Sequence, residues 1–436
     1  MPDSRLFSRA DWSAAGVTAL VALIIYSATL APTVTLEQSG AFAVAGQYLG
    51  IGRVPGYPVW HLLAHLFIRV FGFVQFHGHP NPAWATNFMS AVFGALSCGL
   101  VALLVCRIGR TLGRNPEGAN GRAAAAAVAA GMLFALSRTM WSQSVITETH
   151  TLTLFFILLF LVAALAWFHR RDGRTACGLA AVFGLGLAQS YIMLLLLPVL
   201  LLCLLLAEPR LCREFCIANA FLWVLPCALL CIGLPTPCVV VALVLSGLLG
   251  VALPLCLSPF GRTALAMLLL IALGLSLYAY LPLASAGNPP IQFGYARTWD
   301  GFLHVVSRGQ YERISPTQVF SEPLVFLSQF RWYLGLLNHQ FLFPLGWMAL
   351  LPLVRLSRFR GRWRQWGAVC LLTLFMFSVI LVIGSSPKGD IQDALIQRVL
   401  FIPSFAVWGI FVGLGLVMVF EWVDGLVPDR GNSGVA

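Results

Sequence analysis

Glu37 is the one carboxylate in the run Leu30-Ala31-Pro32-Thr33-Val34-Thr35-Leu36-Glu37-Gln38-Ser39-Gly40. A carboxylate in such a loop can take a proton from a hydroxyl, or balance positive charge that builds on carbon. Arg53, Arg308, Arg313 and Arg398 are further charges without an obvious structural task. Guanidinium groups of this kind hold a departing anion such as phosphate through charge-assisted hydrogen bonds. Glu148 and His150 close a mostly apolar stretch and form a polar pair able to line the same cavity. His61 and His65 have the i, i+4 spacing of a metal pair, but no third ligand accompanies them, and no metal site is expected. With Arg69 they make one polar stripe on an apolar helix, read here as its wet face.

The elements that must position these residues are membrane spans. The 436-residue chain is 59% hydrophobic and 10% charged, whereas a soluble domain carries roughly 25% charged residues. There is too little polar surface to cover a globule in water. Apolar runs and their breakers give twelve spans: 13–31, 85–106, 123–141, 151–168, 175–190, 191–207, 217–234, 238–257, 264–282, 336–354, 367–384 and 399–420. Each needs ~20 residues to cross the hydrocarbon core.

The basic residues test this assignment. With Arg5 and Arg9 inside, alternation puts Arg107/Arg110/Arg114/Arg122, Arg170/Arg171/Arg174, Arg210/Arg213, Arg262 and Arg355 to Arg364 on that same side. That is the positive-inside pattern. The formal charge of +11 therefore reflects topology, and a nucleic-acid partner is excluded, since that would call for a basic face on a soluble domain. The stretch 59–74 is left out of the count, because its polar stripe describes a helix lying in the interface plane. The expected architecture is an all-α polytopic bundle of about twelve helices, with this interfacial helix after the first span. It forms one transmembrane domain over 1–436, without a separate soluble domain and with outer loops 32–84, 283–335 and 385–398. Both termini are expected on the cytoplasmic side of a bacterial inner membrane. The first span is read as retained rather than cleaved, and the 11 cysteines as small hydrophobes.

The outer loops carry a family resemblance. The first combines the string around Glu37 with Gly46-Gln47-Tyr48-Leu49-Gly50 and Pro55-Gly56-Tyr57-Pro58. Downstream come Trp141-Ser142-Gln143, Glu148-Thr149-His150 and Tyr280-Leu281-Pro282. Asn288-Pro289-Pro290, Phe293-Gly294, Trp299-Asp300-Gly301-Phe302 and Arg308-Gly309-Gln310-Tyr311 follow. In this order, over about residues 15–340, the strings resemble the DUF2723 family, to which the TMEM260-type protein O-mannosyltransferases belong. Where that family has an acid before Ser-Gly and another after it, this chain has Gln38 and Ala41. Where it has His-Pro before Pro-Gly-Tyr-Pro, this chain has Arg53-Val54.

The resemblance implies a GT-C-type glycosyltransferase: a multi-span bundle that takes a sugar from a polyprenyl-phosphate carrier and passes it to an acceptor at the outer face. The carrier is then a substrate and no cofactor is needed. The partners are the polyprenyl-phosphate sugar, membrane lipid and an acceptor that is protein, glycan or lipid. Glu37 becomes the catalytic candidate. Arg53, Arg308, Arg313 and Arg398 become donor-phosphate ligands. The substrate cavity would draw on Gln38, Tyr57, Glu148, His150, Asn288, Trp299, Asp300, Gln310 and Tyr311. A transporter or flippase also suits twelve spans, but charges inside the spans are scarce and no inverted repeat is found. A paralogue with the same fold and altered chemistry fits the missing acids.

Overall fold

The computed structural model describes residues 6–112, 119–232, 236–311, 315–355 and 361–424. The helices, in chain order, begin with α1 (Arg9–Ala28), α2 (Ser39–Tyr48), α3 (Pro58–Val70), α4 (Pro82–Leu112), α5 (Ala119–Ala135), α6 (Arg138–Ser144) and α7 (His150–Arg170). Next come α8 (Gly173–Gln189), α9 (Leu197–Ala207), α10 (Pro209–Asn219), α11 (Leu225–Ile232), α12 (Thr236–Leu257), α13 (Gly261–Leu275) and α14 (Tyr280–Ala286). The last are α15 (Trp299–Val306), α16 (Pro323–Asn338), α17 (Leu350–Val354), α18 (Arg362–Phe375), α19 (Leu381–Ser385), α20 (Ile391–Gln397) and α21 (Ile402–Asp424). A two-stranded hairpin, Gln75–Phe76 with His79–Pro80, follows α3.

Among the described residues, seven helices are long and apolar enough to cross a membrane, or eight if the pair bent by 71° between α5 and α6 is one span. The other segments of the twelve-span reading fall on α8, on α12, and on the shorter stretches Tyr191–Ala207 and Leu345–Val354. The stretch 336–354 is not one helix. α16 ends at Asn338, and a short turn leads to Leu345. The polar break is satisfied from outside: Gln340 accepts the Thr139 N–H at 3.0 Å, and the Trp408 indole donates to Gly346 O at 2.9 Å. Irregular backbone at membrane depth survives only when neighbouring protein supplies such partners.

α4 is the central column, packed on α1, α5, α7 and α21. α21 is buried along most of its length, from Ile402 to Val417, which explains why it is apolar on all sides rather than amphipathic. Small residues set the distances. α8 crosses α13 at Gly184 and Gly274, where a Cβ on Gly274 would lie 2.3 Å from the Gly184 carbonyl carbon. Close backbone approach of this type is what holds helices together where no hydrophobic effect can.

The two ends of the bundle differ. At one end Arg110 pairs with Asp11, Arg122 pairs with Asp424, and Arg107 donates to Leu6 O at 2.5 Å. Arg107 and Arg362 both lie over the Trp363 ring, and Arg171 donates to Gln365 at 3.0 Å. Among the described members of the clusters read as one-sided, Arg107, Arg110, Arg122, Arg171 and Arg362 thus lie at one end. The opposite end holds the two long loops.

α3 rises about 20 Å over its thirteen residues, too short for a hydrocarbon core of about 30 Å. It turns Leu62, Leu66 and Val70 outward, and its histidines do not form a wet face as the sequence suggested. His61 is fully buried: its Nε2 accepts the Gly52 N–H at 3.2 Å and its Nδ1 meets Tyr57 O at 3.0 Å. His65 Nδ1 meets Gly46 O at 2.9 Å, and Arg69 donates to its other nitrogen at 3.3 Å. The stripe docks α3 on the loop before it, whose backbone groups need partners near lipid. Burial holds the His61 imidazolium down to a pKa of about 4, so the ring is neutral, and with both nitrogens engaged it has none left for a metal.

Candidate functional site

The second loop is stitched to the first by backbone. Ile51 N–H donates to Ile291 O at 3.2 Å, and Phe293 N–H donates to Ile51 O at 3.0 Å. The Tyr280 hydroxyl donates to Gly50 O at 2.7 Å. Gly56, at φ +111, lies so close to Leu281 that a Cβ would meet its Cδ2 at 2.4 Å. No other residue type meets both demands at that turn. Ile51, Val54, Leu281, Ala296 and Val305 bury themselves in a small apolar core of their own, with Tyr311 against its edge. The family-like strings of the two loops therefore share one substructure.

On this platform the charged groups converge. Arg53 is half-buried and interacts electrostatically with Tyr311, Tyr57 and Glu148. Burial disfavours its charge, but the favourable influence of Tyr311 and those neighbours outweighs it, and its pKa is raised. Arg308 donates to the Tyr191 hydroxyl at 2.7 Å and lies 5.1 Å from the ring centres of both Tyr191 and Tyr311. Its Nε is buried without a hydrogen-bond partner. Tyr57 stands among Arg53, Arg308, Tyr191 and Glu148, and burial raises its phenol pKa above the ordinary value.

Glu148 is 4% exposed. Its Oε2 accepts the Thr149 N–H at 3.3 Å and lies 3.8 Å from His150 Nε2. Burial first, then the charge of Glu37, push its pKa up to about 8, against the pull of Arg53 and of the Thr149 N–H. Glu148 is thus mostly protonated at neutral pH. A carboxyl whose folded pKa is raised contributes stability that is full below its unfolded pKa near 4.5 and is lost as pH climbs through about 8. Glu148→Gln should therefore raise the thermal midpoint of the solubilised protein at pH 8–9 more than at pH 5. A shift of equal size at both pH values would contradict the buried neutral state.

Glu37 comes from the other side. The bend between α5 and α6 lays α6 across the bundle end. Trp141 anchors it by donating to Thr29 at 3.0 Å, and buried Gln143 donates to Glu37 Oε2 at 3.2 Å. Glu37 is itself exposed. Of the ten described non-glycine residues at positive φ, five are site candidates: Glu37, Gln38, Tyr57, Asn288 and Arg308. Left-handed backbone at such residues costs energy and concentrates where function over-determines it.

Residues 38–211 match the family described as Protein O-mannosyl-transferase TMEM260, N-terminal domain. The resemblance carried by the first-loop and Trp-Ser-Gln strings holds over that segment. The mouse protein O-mannosyl-transferase TMEM260 is 27% identical over 166 residues, which is 38% of this chain and 21% of that protein. The match thus spans about a fifth of the relative's own length. The segment contains Arg53, Tyr57, Glu148, His150 and Tyr191. It opens one residue after Glu37, and Arg308 and Arg398 lie outside it.

Not every expected site residue joins the cluster. Asn288 is exposed and accepts from Arg297 at 2.5 Å. Trp299 is 71% exposed and stacks on Phe302, and Asp300 sits exposed in the first turn of α15. Gln38 and Gln310 face outward. Arg398 opens the turn before α21, half-buried and with its Nε unpartnered. Arg313 lies outside the described residues. Gln143 and Tyr191 were missed as site residues. Gln143 was legible within its Trp-Ser-Gln string, and Tyr191 had only its place at the break after α8 to mark it.

Proposed function

We propose that this protein is a membrane glycosyltransferase that moves a sugar from a polyprenyl-phosphate carrier to an acceptor hydroxyl at the outer face. The observation that carries the reading is the meeting of two carboxyls, Glu37 and Glu148, with two arginines, Arg53 and Arg308, at the end of the bundle opposite its basic clusters. The TMEM260 likeness supports it, and mannose is the sugar which that relative's name suggests.

In the reaction the acceptor oxygen bonds to the anomeric carbon as the bond from that carbon to the phosphate oxygen breaks. The hydroxyl proton passes to Glu37, which stands in for the acids replaced by Gln38 and Ala41. The electron pair leaves with the phosphate, where Arg53 and Arg308 stabilise it. Arg53 occupies the family's histidine position and puts a permanent cation there. Neutral Glu148 adds no second negative charge to repel the phosphate.

A lipid carrier needs an apolar seat close to these arginines. Phe330, Tyr333, Leu337, Phe341, Trp347 and Trp408 line an aromatic groove beside α21. Tyr333 lies 5.2 Å from Phe401, whose neighbours Leu400 and Ile402 line a second pocket at the cluster. The turn at 398–403 is thus a shared wall between a site for the head and a site for the chain. A farnesyl phosphate bearing a photoreactive end group should label 330–347 or 399–408, and undecaprenyl phosphate should compete. Labelling confined to other helices, or insensitive to the competitor, would refute the assignment.

A further inference from the structure

The pocket at the cluster has two unlike walls. Tyr57, Thr149, His150, Thr153, Ser190 and Tyr191 bring polar groups to its lining; Ile192, Val399, Leu400, Ile402 and Pro403 bring aliphatic ones. The polar wall is built where α7 begins and α8 ends. Thr153 donates to Thr149 O at 2.9 Å and accepts from Gln189 at 3.4 Å. Gln189 is fully buried with its Oε1 unpartnered, a polar group kept there to hold the wall in place. His150 lines the pocket with its ring 3.8 Å from the Glu148 carboxyl group. No arginine or lysine is among the lining residues; Arg308 reaches only the rim, through the Tyr191 hydroxyl.

Each feature narrows the ligand. An anion would call for a cation in the lining, and a prenyl chain would not be set against five hydroxyl side chains and an imidazole. A pyranose has hydroxyls around its edge and C–H groups on its face, which matches one polar and one aliphatic wall. We propose that this pocket, about 40 Å³ in volume, receives the hydroxyl-bearing edge of the sugar ring of the lipid-linked donor, with those hydroxyls on His150, Thr153 and Ser190 and the adjoining C–H groups at its mouth against Val399–Pro403. The proposal rests on the transfer reaction set out above. Under it, His150 connects the sugar to Glu148, while Gln189 acts as a positioning residue.

The test compares two probes on the full-length protein in nanodiscs: undecaprenyl-phosphate mannose and bare undecaprenyl phosphate. The wild type should bind the mannosylated lipid about tenfold more tightly, the worth of one or two net hydrogen bonds. Thr153→Val with Ser190→Ala, both close to isosteric, should bring that ratio to about one while binding of bare carrier stays within about twofold, and His150→Phe should do the same. A ratio unchanged in these variants would overturn the pocket assignment and leave the lipid-linked reading intact. Equal loss for both probes would make the pocket a phosphate or chain site, which also overturns it. A wild type that binds neither probe would bring down the transfer reading and this inference together.

Discussion

Replacing Arg53 by alanine should lower sugar transfer by about 10²–10³-fold, the usual loss when one preorganised donor to a developing charge is removed. Arg53 is the cation that acts on residues of both loops and on buried Glu148. It interacts electrostatically with Tyr311 from the second loop, with Tyr57 from the first and with Glu148. Without it the leaving phosphate retains Arg308, which is already committed to the Tyr191 hydroxyl. Stability should fall much less than activity, because Glu148 can remain neutral rather than be stranded as a buried charge. Arg53→Lys keeps the charge but loses the planar fork, and should recover only part of the rate. The check is the initial rate beside a thermal unfolding curve for each variant. An Arg53→Ala protein that folds and keeps more than about a third of the wild-type rate would place the phosphate elsewhere.

The spans were legible because the membrane imposes length and polarity so strictly. α1, α4, α7 and α21 lie close to where apolar runs and arginine clusters placed them. The shortness of α3 was legible too, since counting it as a span would have turned every later cluster to the other side. Its histidines were misread because polarity on a helix face shows that a partner exists, not whether the partner is water or backbone. For His61 it is the Gly52 N–H and Tyr57 O. The interruption of 336–354 was missed for a related reason: Gln340 looks like an isolated polar residue until Thr139, 201 positions earlier in the chain, supplies the other half of its hydrogen bond.

The site was legible in outline. Arg53, Arg308, Tyr311, Tyr57 and Glu148 stood out as charges and motifs that topology did not explain, and they come together. Trp299, Asp300 and Asn288 belonged to the same strings yet sit at the rim. Their strings shape α15 and the turn before it, and sequence cannot separate a residue that builds a loop from one that uses it. Tyr191 carried no motif at all; its role follows from Arg308 folding back across the bundle end to meet it.

Glu37→Gln removes the proposed proton acceptor and keeps the shape, since the amide carbonyl can still accept from Gln143. Transfer should then drop by about 10²–10⁴-fold, the range for loss of a general base, with binding of the donor little changed. The most direct measurement is the rate at which purified full-length protein moves labelled mannose from undecaprenyl-phosphate mannose to a pool of serine- and threonine-rich peptides, wild type beside Glu37→Gln. The account predicts protein-dependent transfer that is lost in the variant and released carrier in equal amount to glycosylated peptide. Absence of transfer and of carrier release by the wild type, or a Glu37→Gln rate equal to it, would contradict the account.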